Sequence, residues 1–140
     1  MIVRPRRDVT QTPAPPDDHV ELRVPASSAY LAVLRTATAG LAARLDFTLD
    51  DIEDLRIAVD EACALLLPLA VPGARIDCRF DLRPHQFQVA VSVPSVTTDP
   101  PPRDTFAWTV LTALAGEVDA SVRDGHVTLT LRKQREVSTG

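Results

Sequence analysis

The chain has 140 residues, 45% of them hydrophobic and 24% charged, with a formal net charge of −4, values that fit one globular domain and are too small for two separate cores. The acidic balance argues against a general nucleic-acid binder. No stretch approaches the roughly 20 apolar residues of a membrane helix, and the basic start MIVRPRR runs into Asp8 and a proline-rich segment rather than a secretory core, so a cytoplasmic protein is expected.

Residues 1–18 hold little that could be buried, and Pro13, Pro15 and Pro16 deny them regular structure, so a disordered tail is expected. Val20-Glu21-Leu22-Arg23-Val24 alternates apolar and charged residues, the pattern of a strand with one wet face, and Pro25 ends it. Ser27 then caps a helix with Tyr30, Leu34, Ala37, Leu41 and Leu45 on one side and Arg35 and Arg44 elsewhere on its circumference.

The next stretch, TLDDIEDLRIAVDEACALLL from Thr48 to Leu67, is the strongest helix of the chain. Thr48 is its N-cap, with Asp51 three residues on as a box-like partner. Ile52, Leu55, Val59, Ala62 and Leu66 recur at three- and four-residue steps and form a stripe able to cover a sheet. Asp54, Ile57, Ala58, Glu61 and Leu65 flank that stripe. Pro68, with no N–H to donate, stops the helix. Glu61 is therefore a mid-helix carboxylate that reads equally as a solvated surface acid or as a site acid. Asp60 points about 100° away from it, so the two are not a catalytic pair.

After Pro72-Gly73, Ile76 to Leu82 and Phe87 to Val93 read as a hairpin joined by Arg83-Pro84-His85-Gln86. From Pro94 to Thr105, prolines, hydroxyls and aspartates make a loop of a length that is usually functional or mobile. Phe106 to Ala115 resumes helical spacing, and strands at Val118 to Arg123 and His126 to Lys133 meet at Asp124-Gly125, a hairpin turn whose residues tolerate positive φ. Residues 134–140 are a polar tail.

Cys63 and Cys78 lack CxxC spacing, and His19, His85 and His126 are scattered singly, so buried thiols are expected and no metal site or triad can be assembled. Strand, helix, helix, two strands, helix, two strands is not a doubly wound order. It predicts an α+β two-layer sandwich, an antiparallel or mixed sheet with helices on one face, over residues 19–133.

ELRVPAS at Glu21 to Ser27, DLRIAVDEAC at Asp54 to Cys63 and VLTALAGEVD at Val110 to Asp119, in that order and spacing, resemble the RsbW-like anti-sigma factors, in particular their actinobacterial branch. These belong to the GHKL superfamily of ATPases and kinases, built on the Bergerat sandwich. The resemblance implies a homodimer that sequesters an alternative sigma factor of the stress or sporulation type. It also implies partner switching with an anti-anti-sigma antagonist of the STAS type, whose serine many members phosphorylate with ATP and Mg²⁺.

Carried over by position, Glu61 stands where the family's glutamate acts as general base. Where the family has a magnesium-binding asparagine, this chain has Leu65, and hydrocarbon cannot ligate a hard cation. The family's adenine-binding Asp-x-Gly-x-Gly box corresponds to Val93, Ser95 and Thr97, and no glycine occurs from Ala74 to Ala115. Phosphate cradles depend on glycine for close backbone approach. No cofactor is therefore expected, and Glu61 reads as a vestigial base or a structural acid.

Arg35 falls where the family has an arginine that contacts the sigma factor; the alternative is a solvated helix arginine. Phe106 and Trp108 follow the proline loop and read either as fillers of the vacated nucleotide pocket or as partner anchors. The expected function is sigma-factor sequestration without kinase action. The rival is a protein-serine kinase that binds Mg·ATP in an altered pocket.

Overall fold

Residues 18–135 are described by the structure, a computed structural model. The expected tails lie outside it except at their inner ends, where strand pairing reaches further than expected: Asp18 pairs opposite Leu82, and Gln134 opposite Gln86. The strands are β1 (Asp18–Pro25), β2 (Arg75–Leu82), β3 (Gln86–Pro94), β4 (Glu117–Arg123) and β5 (His126–Gln134). They form one sheet in the order β1-β2-β3-β5-β4, antiparallel at every pairing. The helices are α1 (Leu31–Arg44), α2 (Leu49–Leu66) and α3 (Phe106–Ala115).

Alternation sets the two faces of the sheet. Phe87, Val89, Val91 and Val93 of β3 and Val127, Leu129 and Leu131 of β5 are buried under the helices, while Gln88, Ala90, Ser92, Thr128 and Thr130 between them face the other way. Asp124 and Gly125 have φ of 53° and 76°, the left-handed pair that a tight two-residue hairpin requires.

Thr48 caps α2 as expected, its hydroxyl accepting from Asp51 N–H at 3.1 Å. The Asp51 carboxylate, however, faces Lys133 of β5 at 3.7 Å. The core-facing side of α2 is Leu55, Ala58, Val59, Ala62, Cys63 and Leu66. It is broader than the expected stripe because α2 lies between α1 and α3 and is covered on its flanks as well as from the sheet.

For α1 the expected face is corrected. Ser27 caps a 3₁₀ turn over Ser28–Tyr30, and the α-helix begins only at Leu31. The tighter turn shifts the helical phase, leaving Tyr30 43% exposed and turning Leu31, Leu34, Thr38, Ala42 and the following Leu45 inward. Ala37 and Leu41 are only partly buried. The Thr38 hydroxyl donates to the Leu34 carbonyl at 2.7 Å, so its burial leaves no unmet hydrogen bond.

Cys63 and Cys78 are both buried and free. Burial, with a smaller contribution from the Asp60 charge, pushes the Cys63 thiol up to about 12; burial pushes Cys78 up as well. Both are inert packing groups at neutral pH.

Candidate functional site

The candidate residues sit on the helical layer, and the structure sorts them into three groups. Arg35, one turn into α1, sends a terminal guanidinium nitrogen to Asp60 Oδ1 of α2 at 2.7 Å. Both side chains are more than a third exposed. Among the described residues no other side chain takes the remaining N–H groups of the Arg35 fork.

Glu61, next to Asp60, is half-buried on α2, and its carboxylate makes no hydrogen bond or ion pair with any of the described residues. Leu65, one turn on, packs against the core and offers no oxygen. The side chain of Val93 is wholly buried among apolar neighbours. Ser95 is held by its own backbone N–H donating to the Gly125 carbonyl at 2.8 Å, and its hydroxyl accepts from Thr97 N–H at 3.1 Å. This donor set does not fit Mg·ATP: one carboxylate remains, without a second metal ligand and without a carboxylate at the adenine position.

The proline loop is folded onto the end of the sandwich. Arg103 stacks over the Trp108 ring at 4.8 Å and lies 3.7 Å from Asp119 of β4. Arg132 holds the same carboxylate at 2.7 Å, and its hydrogen bond, with the Arg132 and Arg103 charges, keeps Asp119 below the usual carboxylate range. Thr105 caps α3, accepting from Trp108 N–H at 3.2 Å. Phe106 and Trp108, read together as pocket fillers or partner anchors, differ in burial: Trp108 is buried at 7% exposure, whereas Phe106 stands out at 83%. Two positions along a helix are about 200° apart, so the two rings cannot share a face.

No family model matches the chain. It is 36% identical over 124 residues to the anti-sigma-F factor RsbW of Mycobacterium tuberculosis, a match that spans 81% of this chain and 73% of that protein. The chain belongs to the RsbW family. Within that family it is also 48% identical over 78 residues to the serine-protein kinase RsbW of Bacillus subtilis, covering 54% of this chain and 49% of that one. The crystal structure of the RsbU and RsbW domains of a Mycobacterium tuberculosis protein superposes with a TM-score of 0.68 over 88% of this chain and 34% of that chain, at 16% identity. The α+β, RsbW-type sandwich expected from the sequence is therefore the observed fold.

Sequence reasoning missed three contacts in this RsbW-type site. Asp60, which is no catalytic pair with Glu61, is the residue that holds Arg35. Arg103 gave no signal apart from its position five residues before Trp108, and Lys133 none apart from being the one lysine in β5. Lys133 Nζ donates to the Leu114 carbonyl at the end of α3, at 3.0 Å, and with Asp51 ties all three elements together.

Proposed function

We propose that this chain is an anti-sigma factor, which binds an alternative sigma factor of the stress or sporulation type and keeps it from RNA polymerase. The observation that carries this is the 36% identity across most of both chains to an anti-sigma-F factor. The half-exposed Arg35, fixed on α1 by Asp60 with part of its fork free, supports α1 and the neighbouring turn of α2 as the gripping surface. Arginine suits the task because its planar fork takes a carboxylate by two hydrogen bonds.

In this reading the protein works in the cytoplasm as a homodimer, without direct nucleic-acid contact, and a STAS-type antagonist displaces the sigma factor. Among the described residues no helix is long and apolar enough to cross a membrane. Binding is by occlusion and uses neither ATP nor Mg²⁺, because Leu65 and Val93 replace the ligand and the adenine acceptor. Glu61 is then a remnant, Trp108 fills the former nucleotide region, and Phe106 is available to a partner.

A second reading keeps the kinase. It is favoured by the relatives named serine-protein kinase RsbW and by the retained Glu61. Two measurements separate them. Affinity capture from the native cytoplasm, read by mass spectrometry, is expected to return a sigma factor; its absence sinks the anti-sigma reading. Equilibrium binding with labelled Mg·ATP is expected to show no micromolar affinity, and saturable binding with phosphate transfer to a STAS protein establishes the kinase instead.

A further inference from the structure

Between β3 and α3 the chain crosses the end of the sandwich as one stiff piece. Residues 96–104 read VTTDPPPRD; successive prolines hold φ fixed and have no N–H to offer a helix or a ladder, so the middle of the segment moves as a short rod. Both ends are anchored. Ser95 N–H donates to the Gly125 carbonyl at 2.8 Å, and Ser95 bridges to Ala70. At the other end Thr105 caps α3 by accepting from Trp108 N–H at 3.2 Å.

Between these anchors the segment is bonded mainly to itself. Thr97 hydrogen-bonds to Ser95 and Asp99, and the Pro102 carbonyl accepts from Thr105, which shapes the segment without fastening it to the helices or the sheet. Pro101 is buried, and most of its neighbours are exposed. Among the described residues, the polar tie from 96–104 to the body of the fold is Arg103, which lies 3.7 Å from Asp119 of β4 and 4.8 Å from the centre of the Trp108 ring.

This tie is of a kind that opens. The Arg103 and Asp119 side chains are 58% and 57% exposed, so water and salt screen the pair. Asp119 is also shared, and Arg132 holds it more closely, at 2.7 Å. Releasing Arg103 therefore leaves Asp119 paired and strands no buried charge.

We propose that residues 96–104 are a hinged strap over Trp108, latched by Arg103, that swings about its anchors at Ser95 and Thr105 while the sandwich beneath stays folded. Closed, the strap seals the N-terminal end of α3. Open, it bares the Trp108 ring, so access to this end of the molecule depends on Arg103. The device goes beyond the anti-sigma reading and stands without it.

Trp108 is the sole tryptophan of the chain, and the thiols that could compete for a tryptophan reagent are buried. Modification of the full chain by hydroxynitrobenzyl bromide, read by mass spectrometry, therefore follows the strap, and where opening is faster than modification the rate reports the open population. Arg103→Ala removes both the stack and the ion pair and is expected to raise that rate about ten-fold. Arg103→Lys, which keeps the charge but loses the planar fork, is expected to fall between. Salt at about 1 M, where charges are felt over only about 3 Å, is expected to speed modification of the parent and not of Arg103→Ala. In low urea the rate is expected to stay flat, because strap motion exposes little surface, whereas modification through unfolding climbs with the full slope of the unfolding transition. A rate that climbs in that way, that ignores salt in the parent, or that Arg103→Ala leaves unchanged refutes the strap.

Discussion

Arg35 of α1 and Asp60 of α2 are joined by a 2.7 Å hydrogen bond between charged groups, so the arginine proposed to grip a partner is already oriented by its own protein. Both side chains are more than a third exposed, and water screening keeps such a pair below about 1 kcal/mol of folding stability. Arg35→Ala is therefore expected to lower the unfolding free energy by less than about 1 kcal/mol while weakening sigma-factor binding about ten-fold or more, the loss typical of an interface anchor. Urea unfolding and a binding titration on one preparation check it. Unchanged binding removes Arg35 from the interface.

Trp108 and Phe106 are expected to separate in the same pair of measurements. Trp108→Ala empties a buried site beside the proline loop and is expected to cost about 3–5 kcal/mol. Phe106→Ala, on a ring that is 83% exposed, is expected to stay within about 0.5 kcal/mol of the parent. A comparable loss of stability in both variants contradicts this placement of the two rings.

Lys133 is 17% exposed at its side chain and satisfies the Leu114 carbonyl at the end of α3. Lys133→Met keeps most of the length and removes the donor, so that carbonyl loses its partner. A loss of about 1–3 kcal/mol is expected, with amide hydrogen exchange accelerated in the last turn of α3. Exchange unchanged in that turn disproves the capping role.

The buried thiols give the stability a dependence on alkaline pH. In the unfolded chain Cys63 ionises near its ordinary 9.0, but in the fold burial raises it to about 12, so above pH 9 the unfolded state binds fewer protons than the native one. The contribution is complete below about pH 9 and is lost as the pH rises toward 12, at about 1.4 kcal/mol per pH unit for each fully titrating thiol. Chemical unfolding at several pH values is expected to show this slope, and Cys63→Ala to remove one thiol's share. A slope unaltered in Cys63→Ala places its origin elsewhere.

Much of this protein is written in local patterns. The Thr48 cap, the stop at Pro68, the alternation in Phe87 to Val93 and the Asp124-Gly125 turn each depend on residues within a few positions of one another, and all four appear where the sequence puts them. The placement of Glu61 and Leu65 one turn apart on α2 and of Val93 near the end of β3 was legible too, because it follows from spacing along single elements.

What the sequence alone determined is therefore the order and kind of the elements and the RsbW-type sandwich they make. Only the tertiary structure decided which charges meet and which aromatics are wet. Arg35 and Asp60 are 25 positions apart and Asp51 and Lys133 farther still, so nothing local couples them; packing of helix on helix and helix on sheet does. The inward face of α1 and the opposite fates of Phe106 and Trp108 follow from helical phase, which a single 3₁₀ turn or a half-turn of helix resets without any change in composition.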